Sequence, residues 1–265
     1  MKKIILLCLL AGILAAPLSV AADVTQNDRL LQRPEWDGAV ISNNWLEGSL
    51  RFQGWDIDGF EFDAWLLGPT FMTSLPNLPA LELGSRLAII HFDPDFGDSE
   101  TGVTDIDLWG KYQFYKTHSL MLSGGLLLTL PTGSDDIIHP SASGEVNVEV
   151  FAAGRYQADR KTALIGHFVI RKNSDADIDG NGELDGEIQV GFGFGAIYEL
   201  TRQLNLIGQF NFATEAYEDM DNFIQLTGGA EFKVNSNFSL RGGLGLGLDD
   251  GAPEFELIFA AAFTF

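Results

Sequence analysis

The stretch that decides the fold is EFELIFAAAFTF, at residues 254–265. Its odd-numbered positions, from Phe255 to Phe265, are all apolar, whereas its even-numbered positions include Glu254 and Glu256. Successive side chains of a β-strand point to opposite faces, so residues two apart share one face. The stretch therefore predicts a strand with one apolar face and one mixed, partly charged face.

The same alternation recurs through the chain after an irregular segment at residues 23–38. It predicts about twelve strands, with the weakest patterns in the first and the fifth. They span residues 44–52, 59–72, 80–92, 103–115, 120–130, 145–157, 163–171, 187–199, 204–213, 223–234, 238–248 and 254–265. Short connections, such as residues 158–161, alternate with longer ones, such as residues 131–144.

Residues 1–22 have the pattern of a secretory signal peptide. Lys2 and Lys3 precede an apolar run, and the small residues Ala21 and Ala22 form a cleavage region. The apolar run is shorter than the ~20 residues that cross a bilayer, which disfavours the alternative of an anchoring helix. The single cysteine, Cys8, lies within this signal, so we expect no disulfide in the mature protein.

Charge and hydropathy exclude two classes of protein. The net charge of −21 becomes −23 when Lys2 and Lys3 leave with the signal, and so acidic a chain is not expected to bind nucleic acid. No apolar run after residue 22 reaches the ~18 residues of a membrane helix. A closed β-barrel is then the one way for this chain to cross a membrane, because lipid offers the backbone no hydrogen-bond partners.

We therefore predict an all-β fold, a transmembrane antiparallel up-and-down β-barrel of about twelve strands at residues 39–265. Short turns on one side and long loops on the other, together with the terminal aromatic Phe265, resemble bacterial outer-membrane barrels. Residues 23–38 are predicted to form a periplasmic N-terminal segment that can plug the lumen. The alternative is a soluble sandwich or lipocalin-like barrel, in which the apolar face would point inward.

The charged row of each strand is expected to line the lumen, where it either pairs across strands or tunes a polar pathway. The predicted lumen-lining residues are Arg51, Arg86, Asp105, Asp107, Lys111, Glu149, Arg155, His167, Arg171, Glu231, Lys233 and Arg241. In the second strand the pattern places Phe62, Ala64 and Leu66 on the lipid side. Two inward glycine rows, residues 191–195 and 243–247, either relieve curvature or make room for a solute or for residues 23–38.

One acidic loop is a candidate calcium site. Residues 177–185, DIDGNGELD, resemble the first nine positions of an EF-hand loop, although Ile188 stands where the bidentate glutamate belongs. The candidate Ca²⁺ ligands are Asp175, Asp177, Asp179, Asn181, Glu183 and Asp185. No other cofactor is expected.

The sequence does not predict an enzyme. His139 lies near Asp135, Asp136, Ser141 and Ser143, which are residue types of hydrolase sites. However, the chain contains neither an HExxH motif nor a nucleophile elbow, and a triad is defined by geometry instead of composition.

A family resemblance rests on residues 126–133, LLLTLPTG, followed by a Ser/Asp-rich loop and Gly144. This stretch resembles the outer-membrane proteins associated with phenol meta-cleavage degradation, whose middle strand commonly ends in a Leu-Pro-Thr-Gly turn. The resemblance implies an outer-membrane channel that passively admits small, hydrophobic or aromatic molecules, and it transfers no substrate-binding residue. The alternative is a non-conducting structural or surface-interaction barrel with a calcium-binding loop. The expected partners are outer-membrane lipid, lipopolysaccharide and a small-molecule solute, and the oligomeric state is left open.

Overall fold

The computed structural model describes residues 24–57, 60–95, 97–134, 137, 139, 141–142, 144–178, 182–218 and 220–265. The predicted signal peptide lies outside these residues. The described part contains one 3-10 turn, Pro34–Trp36, and a series of β-strands. The strands are β1 (Trp45–Ile57), β2 (Phe60–Leu75), β3 (Leu78–Arg86), β4 (Ile89–Pro94), β5 (Glu100–Val103), β6 (Ile106–Lys116), β7 (Leu120–Leu130), β8 (Asn147–Gln157), β9 (Thr162–Lys172), β10 (Ala176–Ile178), β11 (Gly182–Leu184), β12 (Ile188–Thr201), β13 (Leu204–Ala213), β14 (Phe223–Lys233), β15 (Phe238–Gly247) and β16 (Phe255–Thr264). Within the described ranges, no helix is long and apolar enough to cross a membrane.

The strands form one closed antiparallel sheet. β1 pairs with β2 on one side and with β16 on the other, so the last strand joins the first. β3 and β4 pair in succession with β2 and together form one barrel strand, and β5 and β6 form another. The result is the predicted twelve-strand barrel. The small β10–β11 hairpin lies apart from the barrel sheet, between β9 and β12.

The outer surface of the barrel is apolar. On β16, Phe255, Leu257, Phe259 and Phe263 are exposed, whereas Glu256 points inward and is buried. Other large exposed apolar side chains around the wall include Leu46, Phe52, Leu83, Leu108, Tyr112, Phe114, Leu126, Val150, Tyr156, Leu164, Phe168, Phe192, Phe194, Phe232, Leu240 and Leu244. An apolar exterior around a polar interior is the arrangement of a membrane barrel and the reverse of a lipocalin-like one.

The two rims of the barrel differ. Short turns at residues 117–119, 158–161, 202–203 and 234–237 define the short-turn rim, and longer connections at residues 131–146, 173–187, 214–222 and 248–254 define the long-loop rim. Asn44 and Phe265 exchange two backbone hydrogen bonds of 3.0 Å at the short-turn rim. In outer-membrane barrels the short turns face the periplasm, so the predicted location would place the long-loop rim outside the cell.

The predicted orientation of β2 is wrong. Phe62, Ala64 and Leu66 point inward and are buried. They form a mouth cluster with Trp55, Ile90, Phe92, Ile137 and Ala142, residues of β1, β4 and the 131–146 loop. Alternation separates two faces but does not say which one meets lipid. Here the loop folds over the inner face, and the outward Glu61 and Asp63 are exposed.

Residues 24–44 run inside the barrel, and we name them the lumen segment. The backbone N–H of Val24 donates to the carbonyl of Arg160 at the short-turn rim, 2.9 Å, and Asn44 returns to the same rim. Between these ends, Leu30 and Leu31 lie in a buried cluster with wall residues that include Ile165, Ile207 and Ile258. The segment thus extends past Gly38, since Ala39, Val40 and Ile41 are also buried and β1 begins at Trp45.

One glycine of each glycine row lies directly against this segment. A Cβ atom on Gly243 would lie 2.5 Å from Leu31 Cδ1, and one on Gly195 would lie 2.7 Å from Leu30 Cδ2. Real Cβ atoms do not come so close to another atom. The missing side chains therefore make the space that the two leucines fill.

Gly243→Ala should destabilise the barrel by about 1–3 kcal/mol, because the added methyl overlaps Leu31 in a filled interior. Urea unfolding of the protein in liposomes measures this. Gly228→Ala is the matched control, since Gly228 faces outward on the neighbouring strand and a Cβ there meets nothing within 4 Å. Adding Leu31→Ala to Gly243→Ala should cost less than the two single changes summed. Strict additivity would contradict the overlap.

Candidate functional site

Most of the predicted lumen-lining residues contact the lumen segment. The side chains that do so are Arg51, Arg86, Asp107, Lys111, Glu149, Arg155, His167, Lys233 and Arg241. Three others bind elsewhere. Asp105 accepts backbone N–H groups of residues 132, 133 and 144, Arg171 donates to Thr129, and Glu231 accepts from Asn205 and Ser239.

Asp37 of the segment and Arg155 of β8 form a buried ion pair. Arg155 Nη1 lies 2.7 Å from Asp37 Oδ2, and Arg29 Nη1 lies 3.5 Å from the same oxygen. Burial alone would raise the pKa of Asp37, but Arg155, Arg29 and Lys111 outweigh it, so the pKa is lowered. Asp37 is therefore ionised in the folded protein at neutral pH.

Lys111 of β6 binds the backbone of the same turn. Its Nζ donates to the carbonyls of Asp37 and Ala39, each at 3.0 Å, and forms an ion pair of 2.9 Å with Glu82. Glu82 in turn accepts the backbone N–H of Ile41 at 3.0 Å. Lys111, a cation of the barrel wall, thus binds backbone carbonyl oxygens of the segment. Every residue has such an oxygen, so a search of the sequence for opposite charges cannot find these contacts.

Arg241 and Lys233 bind the start of the segment from the opposite strands. Arg241 Nη2 donates to the carbonyls of Arg29 and Leu30, each at 2.6 Å, while its other terminal nitrogen pairs with Glu47. Lys233 Nζ lies 2.8 Å from Asp28 Oδ1. Cations from three sides of the lumen therefore hold the segment.

Amide side chains, which are not among the predicted lumen-lining residues, hold the middle of the segment. Gln32 Nε2 donates to Gln225 and to Glu256, and Gln32 Oε1 accepts from Asn211 at 2.9 Å. The backbone N–H of Gln32 donates to Gln209 at 3.3 Å. The sequence does contain an indication of these contacts. The polar rows of the predicted ninth and tenth strands carry Asn and Gln at alternate positions.

The tip of the segment carries an aromatic contact. The Trp36 indole lies against the His167 ring, with centroids 4.3 Å apart, and its N–H donates to Glu149 at 2.7 Å. Arg33, whose guanidinium lies 5.1 Å from the Trp36 ring centroid, is the one non-glycine residue in the described ranges with a positive φ, 48°. Strain of this kind persists only where surrounding contacts impose it.

The lumen segment fills the barrel interior at the level of these contacts. The side chains of Arg29, Glu82 and Lys111 are 0% exposed, although each carries a charge that water would solvate. Buried charges are retained only when they are paired, and removing one partner costs about 3–5 kcal/mol. The lumen segment is therefore held inside the barrel by buried polar contacts as well as by apolar packing.

A chain of hydrogen bonds links the segment to the long-loop rim. Glu256 accepts from Gln32 and, at 2.9 Å, from Gln53 Nε2. Gln53 Oε1 lies 3.0 Å from His139 Nε2, and His139 Nδ1 accepts the backbone N–H of Ser141 at 3.1 Å. The two contacts define a neutral His139 that donates through Nε2. The 131–146 loop and the lumen segment thus share one network.

His139 is a structural residue of this loop. Its ring packs edge-on to Trp55 and Phe62, and burial lowers its pKa from 6.5 to about 4. Both ring nitrogens are engaged in the contacts above. Asp135, Asp136 and Ser143, its candidate hydrolase partners, lie outside the described residues.

The candidate calcium loop is described only in part. Asp179 and Asn181 lie outside the described residues, as do the side chains of Asp177 and Glu183. The backbone at Ala176–Ile178 pairs with Gly182–Leu184, and Asp175 accepts the N–H of Gly186 at 2.9 Å. No group of three potential metal ligands occurs within the residues that the structure describes. Calcium binding stays a prediction.

Comparison with solved structures identifies the class of protein by its fold. The chain is similar to the COG4313 outer membrane channel from Pseudomonas putida F1, with a TM-score of 0.73 and 14% identity over 87% of this chain and 98% of that chain. It is also similar to the NanC porin (TM-score 0.54, 7% identity, 84% of this chain and 100% of that one) and to the KdgM porin in complex with disordered oligogalacturonate (TM-score 0.53, 9% identity, 83% and 99%). No protein-family profile matches the sequence, and no curated protein matches it.

At such low identities these similarities establish the fold alone. With the apolar exterior, they make the chain a β-barrel of the bacterial outer membrane, which is the fold and the location that the alternation predicted. The resemblance of the Leu-Pro-Thr-Gly stretch is confirmed at this level, as the fold of an outer-membrane barrel.

The docking of the 131–146 loop should weaken as the pH falls from about 6.5 to 4. His139 is neutral when docked and takes up a proton when undocked, so stability is full above pH 6.5 and declines by at most about 3 kcal/mol on acidification. Hydrogen exchange of the loop amides, corrected for the intrinsic rate, measures the change.

The variant His139→Gln should show no such pH dependence. His91→Gln is the matched control, because His91 lies near the same rim but binds Thr101 outside the mouth cluster. An unaltered pH dependence in His139→Gln would show that another group is responsible.

Proposed function

We propose that the protein is an outer-membrane channel through which small solutes diffuse passively, and that the lumen segment closes it. The observation that carries this proposal is the polar character of the contacts between segment and wall. Lys111, Arg155 and Arg241 bind carbonyl or carboxylate oxygens of the segment through their charged groups. Water can replace every one of these contacts when the segment leaves.

A segment that filled the lumen permanently would be expected to contact the wall mainly through apolar side chains. Well-packed apolar side chains are often as stable as buried ion pairs, or more stable. A barrel that conducts nothing gains little from a lumen lined with charges. An open pathway, by contrast, needs a hydrated and polar wall. The lining therefore supports a pathway that is solvated in another state.

The route of the segment also supports reversible closure. Its two ends, Val24 and Asn44, both lie at the short-turn rim. If the signal peptide is removed as predicted, Asn44 is the one covalent attachment to the barrel. The segment can then withdraw toward the periplasm as a loop and return. The wall glycines that receive Leu30 and Leu31 would then face open lumen.

Partners follow from the two surfaces. The apolar exterior suits outer-membrane lipid and lipopolysaccharide, and the lumen suits a small-molecule solute. That the solute is hydrophobic or aromatic rests on the family resemblance, and no catalytic role is proposed.

A reversible crosslink tests the proposal on the full chain. In Leu30→Cys with Gly195→Cys, the two thiols face each other, because a Cβ on residue 195 would lie 2.7 Å from Leu30 Cδ2. A disulfide, or a short bis-methanethiosulfonate bridge that a reductant cleaves, then holds the segment in the lumen. Planar-bilayer conductance and liposome swelling should be abolished under oxidation and restored on reduction. Leu30→Cys alone is the control and should not respond to oxidant.

Two results would count against the proposal. Equal conductance in both redox states would show that the segment does not close the pathway. No conductance and no solute entry in the reduced protein would favour the alternative, a structural or surface-interaction barrel.

That alternative includes calcium binding at the acidic loop of residues 175–185. If it holds, Ca²⁺ should raise the melting temperature with a half-point in the range of about 10⁻⁴–10⁻³ M. Asp175→Asn with Asp185→Asn should remove the effect, whereas Asp159→Asn at the other rim should keep it. If calcium does not change the melting temperature of the unaltered protein, calcium binding at this loop is ruled out.

A further inference from the structure

We propose that the lumen wall contains a binding site for a carboxylate with an apolar body, which Asp37 and Trp36 of the lumen segment occupy in the closed state. The inference rests on the proposed function and names the class of solute. A solute of this kind competes with the segment for the wall and thereby favours the open channel.

The anionic half of the site is centred on Arg155. Among the described residues, its terminal nitrogens bind only the segment: the Asp37 carboxylate at 2.7 Å, and the carbonyls of Asp28 and Thr25 at 2.9 and 2.8 Å. Other wall cations keep a wall carboxylate when the segment leaves, as Lys111 keeps Glu82 and Arg86 keeps Asp107. Arg155 keeps none of these partners.

Neutral donors complete this half. Ser123 Oγ donates to the carbonyl of Asp37 at 3.3 Å, and Gln113 Nε2 donates to that of Gly38 at 3.1 Å. Without the segment, the two positive charges of Arg155 and Lys111 are balanced only by the carboxylate of Glu82. The remaining positive charge and the neutral donors match one carboxylate group.

The apolar half lies beside it. Trp36 packs between the His167 ring and a buried wall patch that includes Trp109, Leu127, Phe151 and Val169. This patch is inside the barrel, where a purely aqueous pore would carry polar side chains. Because Trp36 immediately precedes Asp37, the segment presents a ring and a carboxylate together. The wall therefore recognises both features in one ligand.

Competition gives the site a gating role. A solute that binds only the wall freed of the segment shifts the equilibrium toward that state. Its apparent affinity is reduced by the fraction of molecules that are open. A substitution that weakens the binding of the segment to the wall, without altering the wall, should therefore strengthen apparent solute binding. Removal of Arg155 should abolish solute binding.

Thiol labelling of the full chain in liposomes tests this. Val40→Cys places a thiol on the segment at a site that is buried in the closed state, where a water-soluble maleimide reports withdrawal. The probe is benzoate, compared with acetate, which has no ring, and benzyl alcohol, which has no charge. Benzoate should accelerate labelling several-fold and raise conductance, acetate should act weakly, and benzyl alcohol should have no effect.

Three further changes on this background separate a binding site from a merely structural pair. Asp37→Asn should lower the benzoate concentration for half-effect by about tenfold or more, because the internal competitor loses its charge. Arg155→Gln should label rapidly without benzoate and should not respond to it. Arg171→Gln is the control, because Arg171 contacts Thr129 of the wall instead of Asp37, and the benzoate response should persist.

The outcomes are distinguishable. A protein that conducts but whose labelling ignores benzoate, or an Asp37→Asn half-effect that does not fall, overturns the carboxylate site and leaves the channel intact. Equal responses to benzoate and benzyl alcohol overturn the charge requirement and with it the proposal. If no condition gives labelling or conductance, the channel itself is wrong. The Asp37→Asn arm decides the question even if Arg155→Gln does not assemble.

Discussion

The ion pair between Asp37 and Arg155 is the interaction on which the placement of the lumen segment depends. It joins the lumen segment to the wall in a place that water does not reach, so both groups must stay charged and paired. Arg29 and Lys111 are buried around it and both bind the turn at residues 37–39, Arg29 through the Asp37 carboxylate and Lys111 through the carbonyls of Asp37 and Ala39. Loss of this one pair would leave several charges without solvation, which makes the turn the central point of the network.

A closed sheet of twelve strands explains why such a network exists. Eight-stranded barrels are filled by their own side chains, whereas sixteen strands enclose an aqueous channel. At the intermediate size the wall residues leave a space, and here a stretch of the same chain fills it. The fit combines glycine on the wall with leucine on the segment, and cations on the wall with chain oxygens. Glu256 connects this filling with Gln53 and His139, so the extracellular mouth and the segment belong to one hydrogen-bonded unit.

The barrel itself was predictable because strand alternation is a local property. One face of β16 meets lipid and the other meets the lumen, and each environment selects its own residues over the whole strand. The same logic placed Lys111, Glu149, Arg155 and Arg241 inside. It failed for Phe62, Ala64 and Leu66, where the inner face is covered by a loop distant in sequence and has become apolar. The same reasoning did not predict the contacts of Gln32 and Gln53. An amide carries no charge that would suggest an ion pair, and its partners lie far away in the sequence.

The amino-acid sequence alone determined the class of fold, the number of strands, their pairing order and the identity of the two rims, since all of these follow from periodicity and connection lengths. Only the tertiary structure decided what fills the lumen and how. Residues 24–44 have no periodicity of their own, and their conformation is imposed by Lys111, Arg155, Arg241 and the glycine rows of strands that are remote in sequence. Backbone carbonyls, which accept most of these contacts, are the same for every residue, so no sequence pattern records them.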